Sequence, residues 1–351
     1  MARSIRLRHQ TRRGVSASKP TVRPVLTALI ALATLAQPAR IFVFEQPFWV
    51  NLHHFLYVLG RNELRAPDRT RRAVADAPKE QDAGLATLSP AEQATWRAAV
   101  TAYGNGWSRK DAVFDSDLVA LTHALVRAGD ARRTLPALAG PPGLPGLDAA
   151  TATILNSVAP IYRATWWPAH TRANADRITA LETLIAQYGA RVLAYITHAY
   201  QQPWPADGYP VNVSAYTNWA GAYSTDDRLL VVSSRDAGTT GLAGLETIFH
   251  ESMHQWDGQV AATLTAAAER QHKTVPDLLS HAMIFYTAGA AVQSVAPDYT
   301  PYADANGIWQ RGPGPFKAPL DAAWKPYLDG RGTLDAAIDA VIRLLPAAPL
   351  Q

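Results

Sequence analysis

The chain has 351 residues, 48% of them hydrophobic, so it is long enough for one large domain or two ordinary ones with a buried core. Because it contains no cysteine, a disulfide framework and a cysteine-based metal site are excluded. The formal charge of +4 is concentrated at the start of the chain, where residues 1–36 hold seven basic and no acidic residues. The remainder has 26 basic and 29 acidic residues, and we expect no nucleic-acid partner.

Residues 1–36 are predicted to be a signal peptide or membrane-targeting segment. A basic stretch is followed by an apolar run at 25–36, which is too short to span a bilayer and has the length of a signal-peptide core. Thr34 and Ala36 are small residues that suit cleavage after Ala36. We therefore expect an exported protein, periplasmic or secreted, with no stable membrane span once the leader is removed. The alternative is an uncleaved signal anchor.

Residues 37–205 are predicted to form a helical N-terminal region. Ser89-Pro90-Ala91-Glu92 indicates a helix start, with Ser89 as N-cap and Glu92 at the third helical position. His53-His54 lies in an apolar helix, where adjacent side chains point about 100° apart, so we expect packing or surface residues rather than a metal-binding pair. Residues 66–86 are predicted as a loop or weak helix and 135–147 as a loop. Helices are predicted at about 48–59, 89–103, 115–128, 148–166 and 173–200.

Residues 206–351 are predicted to form the metal-binding catalytic region and to pack with 37–205 as one unit. Pro203-Trp204-Pro205 breaks the helical pattern, and three extended segments at 211–216, 219–224 and 229–233 predict a small antiparallel sheet. The fold class expected for the chain is mainly α, of the α+β type. Further helices are predicted at about 244–256, 260–272, 274–292 and 334–345.

His250-Glu251-Ser252-Met253-His254 is an H-E-x-x-H motif on the predicted helix at 244–256. Two histidines four residues apart lie on one helix face, where they can bind one Zn²⁺ at about 2.0–2.1 Å each. Glu251 can then take a proton from the water on that metal. The alternative is an ordinary amphipathic helix with two surface histidines.

A catalytic zinc needs a third protein ligand and an open position for water. The downstream candidates are Glu269, His272 and His281, and Asp257 is also close in sequence. His281 is preferred because a lone histidine in a strongly apolar helix is costly unless it is satisfied, and metal ligation would satisfy it. Glu269 is the second choice.

The sheet, the H-E-x-x-H helix and the helices after it resemble the zincin superfamily of metallopeptidases over roughly residues 208–292, without indicating a specific family. A metzincin is excluded, because Val260 stands where that group has its third histidine. The resemblance implies a zinc metallopeptidase that acts on a peptide or protein substrate, with Glu251 activating a zinc-bound water. It also implies that the segment 220–223 binds the substrate backbone by strand addition; the alternative there is a plain sheet edge.

The oxyanion that develops during hydrolysis needs a hydrogen-bond donor. Tyr286, Tyr223 and His272 are candidates, and Tyr286 is the predicted catalytic partner of Glu251, although it lies about 140° round the helix from His281. Either Asp257 or Glu246 is expected to hydrogen-bond a ligand histidine. Two other functions remain open: a non-catalytic cell-envelope binding or structural protein that retains a zincin-like core, and a zinc hydrolase acting on a non-peptide bond.

Overall fold

The computed structural model describes residues 40–64, 72–129, 138, 144–225 and 228–345. The predicted leader at 1–36 and most of the predicted loop at 135–147 lie outside the described residues. Within the described ranges, no helix combines the length and the apolar composition needed to cross a membrane.

The N-terminal half is helical, as predicted. Three of its helices begin at residues whose side chains accept hydrogen bonds from the first turn: Ser89 with the full capping box to Glu92, Asp115 and Asp148. Residues 72–85, expected as a loop or weak helix, form a helix. The described helices are α1 (Phe48–Glu63), α2 (Arg72–Leu85), α3 (Pro90–Asn105), α4 (Ser116–Arg127), α5 (Ala149–Thr165), α6 (Trp167–Leu184) and α7 (Ala190–Tyr200), with a π-helical turn at Ile185–Gly189 between the last two.

The small sheet is mixed, which corrects the predicted antiparallel arrangement. Its strands are β1 (Phe42–Glu45), β2 (Tyr209–Ser214), β3 (Ala222–Thr225) and β4 (Leu229–Ser233), in the order β1-β2-β4-β3. After β2 the chain passes to the far edge, forms β3 and returns as β4 between them, so β4 is antiparallel to β3 but parallel to β2. β1 was not predicted from the sequence, because its four residues are too few to show an alternating pattern. It pairs in parallel with β2.

The sheet separates two hydrophobic cores, because successive side chains of a strand point to opposite faces. Leu230 and Val232 belong to a C-terminal core with Phe249 of the motif helix. Leu229 and Val231 belong to an N-terminal core built mainly by α1, α3 and α5. The predicted pair His53-His54 is buried in this second core, where the rings bond the hydroxyls of Tyr103 and Tyr223 respectively.

The C-terminal half carries the motif helix and its neighbours. The helix α8 (Gly241–Met253) continues through a 3₁₀ turn (His254–Trp256) into α9 (Asp257–Arg270). The long helix α10 (Leu279–Val295) packs against α8. At Gly289 it is approached closely by Pro301, since a Cβ at this position would lie 2.6 Å from Pro301 Cβ. The rest of the described chain contains α11 (Tyr302–Ala305), α12 (Lys317–Pro319), α13 (Lys325–Leu328) and α14 (Leu334–Leu344), joined by short 3₁₀ and π turns.

Candidate metal centre

The structure brings His250, His254 and His281 together. α8 ends at Met253, but His254 keeps right-handed helical dihedrals, so the two motif histidines remain one turn apart. His281 approaches from the first turn of α10, where its Nε2 lies 3.3 Å from the Nε2 of His250. One ligand atom from each of the three side chains lies within 4.8 Å of the others. Three imidazole nitrogens this close together could hold one metal ion.

The electrostatics of this cluster favour the neutral imidazole at His250 and at His281. Burial, followed by the two neighbouring histidines, holds the pKa of His250 well below its usual value. Burial likewise lowers the pKa of His281 to about 4. A histidine must be neutral to bind a metal ion. His250 and His281 could therefore bind a metal near pH 7 without first losing a proton.

His254 is oriented by a carboxylate. Its Nδ1 lies 2.7 Å from Oδ2 of Asp257, which leaves Nε2 available for a metal. Burial lowers the pKa of His254, but the hydrogen bond to Asp257 and the charge of Glu251 outweigh it and raise the pKa above its usual value. Asp257 therefore occupies the supporting position expected from the sequence.

Glu246 makes a different contact from the one expected. Its Oε2 accepts hydrogen bonds from the hydroxyl of Tyr299 and the backbone N–H of Tyr302, at 2.7 and 2.9 Å. Nδ1 of His250 is buried and bonds no described residue. Burial raises the pKa of Glu246 to about 7. Of the two supporting candidates, only Asp257 bonds a histidine of the cluster.

Glu251 lies beside the three histidines and is held by the sheet. Its Oε2 accepts a hydrogen bond of 2.7 Å from Oγ of Ser224, a residue of β3. Burial raises the pKa of Glu251 above its usual range, against the opposing effect of His254. A carboxylate with a raised pKa is a stronger base than one in water, so the side chain is suited to accept a proton.

A cavity of about 780 Å³ opens onto the cluster. β3 is an edge strand of the described sheet, and Ala220 and Ala222 lie on the cavity wall beside it. Both side chains are small, which permits another backbone to approach closely. Besides these two alanines, the cavity is lined by Trp219, Thr239, Glu246, Thr247, His250, Glu251, Leu278, His281, Phe285, Tyr302, Ile308, Arg311, Gly312 and Pro313.

The other candidates for the third ligand lie outside the cluster. Glu269 is exposed on α9, and His272 is exposed just beyond the end of that helix. Neither joins the three-histidine group. A sequence gives no distance between helices, so it could not exclude Glu269 as the third ligand. The position of α10 beside α8 brings His281 to the cluster instead.

Tyr286, the predicted catalytic partner, is directed elsewhere. Its hydroxyl donates to Oδ1 of Asp321 at 2.7 Å, and it is not among the residues that line the cavity. The cause is its position about 140° round α10 from His281. Tyr223 is also removed as a candidate, because its hydroxyl bonds the buried His54. We therefore assign neither tyrosine to the site.

Sequence reasoning missed the cavity residues that follow α10. Tyr302 and Arg311 line the cavity but belong to a stretch rich in proline, glycine and aromatic residues, with no periodic pattern to place them. Tyr302 stacks against Phe285, which in turn packs on His250. The only sequence signal was the presence of polar and aromatic side chains after the ligand helix.

Comparisons with known proteins do not identify the site. No family model matches the chain, and no significant match was found among curated proteins or solved structures.

Proposed function

We propose that this chain is a zinc-dependent metallopeptidase of the zincin type, in which His250, His254 and His281 bind Zn²⁺ and Glu251 is the general base. The observation that carries the proposal is the convergence of three histidines beside the partly buried carboxylate of Glu251, at a cavity that Glu251, His250 and His281 line. A structural zinc site has four protein ligands and no need of a base. Three ligands with Glu251 beside them fit a catalytic site better.

The residues of the chain would divide the chemistry between them. When bound, Zn²⁺ supplies a Lewis acid that polarises a peptide carbonyl and lowers the pKa of water. Glu251 takes the proton of the attacking water and later gives it to the leaving amine. Ser224 holds the carboxylate of Glu251 in place, and Asp257 fixes the ring of His254.

An extended peptide substrate would add to the edge of the sheet at β3. Main-chain hydrogen bonds to an edge strand bind a peptide largely independently of its sequence. The side chains of Ala220 and Ala222 are small enough for this approach, and β3 leads through Ser224 directly to Glu251. Strand addition would thus place a peptide bond next to the base.

Export remains part of the proposal and rests on the sequence of residues 1–36. A basic stretch followed by a short apolar run is typical of a secretory leader. The partners proposed for the mature chain are peptide or protein substrates in the periplasm or outside the cell, and no nucleic acid.

Hydrolysis of a mixture of peptides, followed by mass spectrometry, tests the proposal. The wild-type protein with zinc should cleave peptides, and Glu251→Gln should lose at least about a thousandfold in rate while it keeps its zinc, because the base is gone and the ligands remain. Glu269→Gln, on the exposed part of α9, is the matched control and should cleave normally. A zinc-loaded wild type that cleaves nothing would favour the non-catalytic envelope protein, and an active Glu251→Gln would contradict the mechanism.

A further inference from the structure

One wall of the cavity is a loop, residues 306–313, that is braced from behind. Trp309 of this loop packs against the ring of Tyr286, with the ring centroids 6.2 Å apart. The ammonium of Lys317 lies over both rings and pairs with Asp321, which also accepts the hydroxyl of Tyr286. Tyr286 thus supports the wall of the cavity rather than the reaction.

The loop orients Arg311 through its own backbone. Nε of Arg311 donates to the carbonyl of Gly307 at 3.2 Å, and Nη2 donates to the carbonyl of Asn306 at 2.6 Å. Gly307 has a φ of +64°, a conformation that glycine adopts without strain. Nη1 makes no hydrogen bond to a described residue, and no described carboxylate pairs with the guanidinium. The guanidinium is therefore held in position and keeps N–H groups that bond no described residue.

Arg311 is the only lysine or arginine among the residues that line the cavity. The two carboxylates that line the cavity accept hydrogen bonds from other groups: Glu251 from Ser224, and Glu246 from Tyr299 and the backbone of Tyr302. A planar guanidinium with free N–H groups binds carboxylates through paired, charge-assisted hydrogen bonds. The cavity therefore offers one prepared position for an anionic group.

The size of the cavity limits how far that group can be from the reaction. At about 780 Å³ it falls in the range of sites that enclose small ligands. Only a few residues of a peptide fit in such a volume, so a carboxylate at Arg311 would belong to a residue close to the bond that Glu251 attacks.

We propose that Arg311 is a specificity residue that binds a carboxylate of the substrate, so that cleavage occurs close to that carboxylate. The inference rests on the proposed peptidase function. Two sources supply the same chemistry: the C-terminal carboxylate of a short peptide and the side chain of an acidic residue.

The test measures the binding of matched peptides to zinc-loaded Glu251→Gln, which holds substrate without cleaving it, by isothermal titration calorimetry. The first pair is acetyl-Ala-Phe-Leu-Ala with a free or an amidated C-terminus. The second is acetyl-Ala-Phe-Leu-Glu-amide and its Gln counterpart. A member with a carboxylate should bind about ten- to a hundredfold more tightly than its neutral partner, and adding Arg311→Gln should abolish this preference. A preference within the first pair would assign the site to a C-terminal carboxylate. A preference within the second pair would assign it to an acidic side chain.

The matched control is Arg331→Gln, since Arg331 is exposed and pairs only with Asp329. It should keep the full preference. Equal binding of charged and neutral peptides, a preference that survives Arg311→Gln, or no binding of any peptide would each overturn the inference.

Cleavage of the same peptides by the wild-type protein separates this inference from the proposed function. Cleavage without a preference for carboxylates contradicts the role of Arg311 and leaves the peptidase standing. A preference in binding without cleavage supports the carboxylate site and contradicts the peptidase.

Discussion

The residues of the candidate site divide into those that a sequence can identify and those that it cannot. His250, Glu251 and His254 follow from their spacing on a helix, because spacing alone fixes which side chains share a face. His281 was inferred from the cost of a lone histidine among apolar neighbours, and the structure places it 3.3 Å from His250. Tyr286 had no comparable physical argument behind it, and its hydroxyl bonds Asp321 instead.

The buried carboxyl of Glu246 should make stability depend on pH. Burial raises its folded-state pKa to about 7, above the usual value of 4.5. A raised pKa means that the unfolded state releases its proton first, so the stability present below pH 4.5 is lost as pH rises through 7. Between pH 5 and 8 the wild type should lose about 2 kcal/mol of unfolding free energy more than Glu246→Gln.

Urea unfolding at both pH values, in the presence of a chelator to remove metal effects, measures this difference. Glu269→Gln is the control, since the side chain of Glu269 is exposed, and it should follow the wild type. Identical pH dependence in the wild type and Glu246→Gln would show that Glu246 ionises normally in the folded protein.

Among the elements, β3 connects the sheet to the candidate metal centre. It is an edge strand, it provides part of the cavity wall, and its Ser224 donates to Glu251. The sequence predicted strands at 211–216 and 229–233, which overlap β2 and β4, and an extended segment at 219–224 that overlaps β3. The order and direction of the strands could not be predicted in the same way, because pairing depends on which strands meet in space. Phe42 of β1, for example, pairs with Tyr209, 167 residues later in the chain.

Replacing Ser224 by Ala should weaken catalysis without removing zinc. The carboxylate of Glu251 would lose a charge-assisted hydrogen bond, which corresponds to a fall of about tenfold in kcat/KM. Since that bond lowers the pKa of Glu251, its loss should raise the pKa and move the acid limb of the pH–rate profile to higher pH.

The pH–rate profile of peptide hydrolysis measures both effects. Ser294→Ala is the matched control, because Ser294 bonds only the carbonyl of Ala291 within α10. An unchanged acid limb in Ser224→Ala would mean that β3 does not act on the base.

On the scale of the whole molecule, the site depends on the packing of α10 and the chain that follows it. α10 contributes His281 and Phe285 to the cavity, and residues 299–313 fold back over the same helix. The mainly helical class and most helix positions were predicted from periodicity and caps. The sequence did not predict that the proline- and glycine-rich segment folds back over α10. Its short turns are fixed by tertiary contacts, such as those of Trp309 and Pro301, and not by a local sequence pattern.

The close approach at Gly289 should be sensitive to one added methyl group. A Cβ there would lie 2.6 Å from Pro301, so Gly289→Ala should push the 299–302 segment away and cost about 1–3 kcal/mol of unfolding free energy. Gly258→Ala is the control, since Gly258 lies in α9 with nothing within 4 Å of the added atom, and it should lose no stability. Denaturant titration compares them, and a Gly289→Ala protein as stable as the wild type would show that this contact is loose.

Elemental analysis of the purified protein measures whether His250, His254 and His281 bind one zinc ion. We expect one zinc per chain in the wild type, none in His250→Ala or His281→Ala, and one in His272→Ala, whose histidine is exposed and outside the cluster. A wild type that takes up no zinc after dialysis against the metal would contradict the metal centre. Zinc retained by His281→Ala would contradict the third ligand.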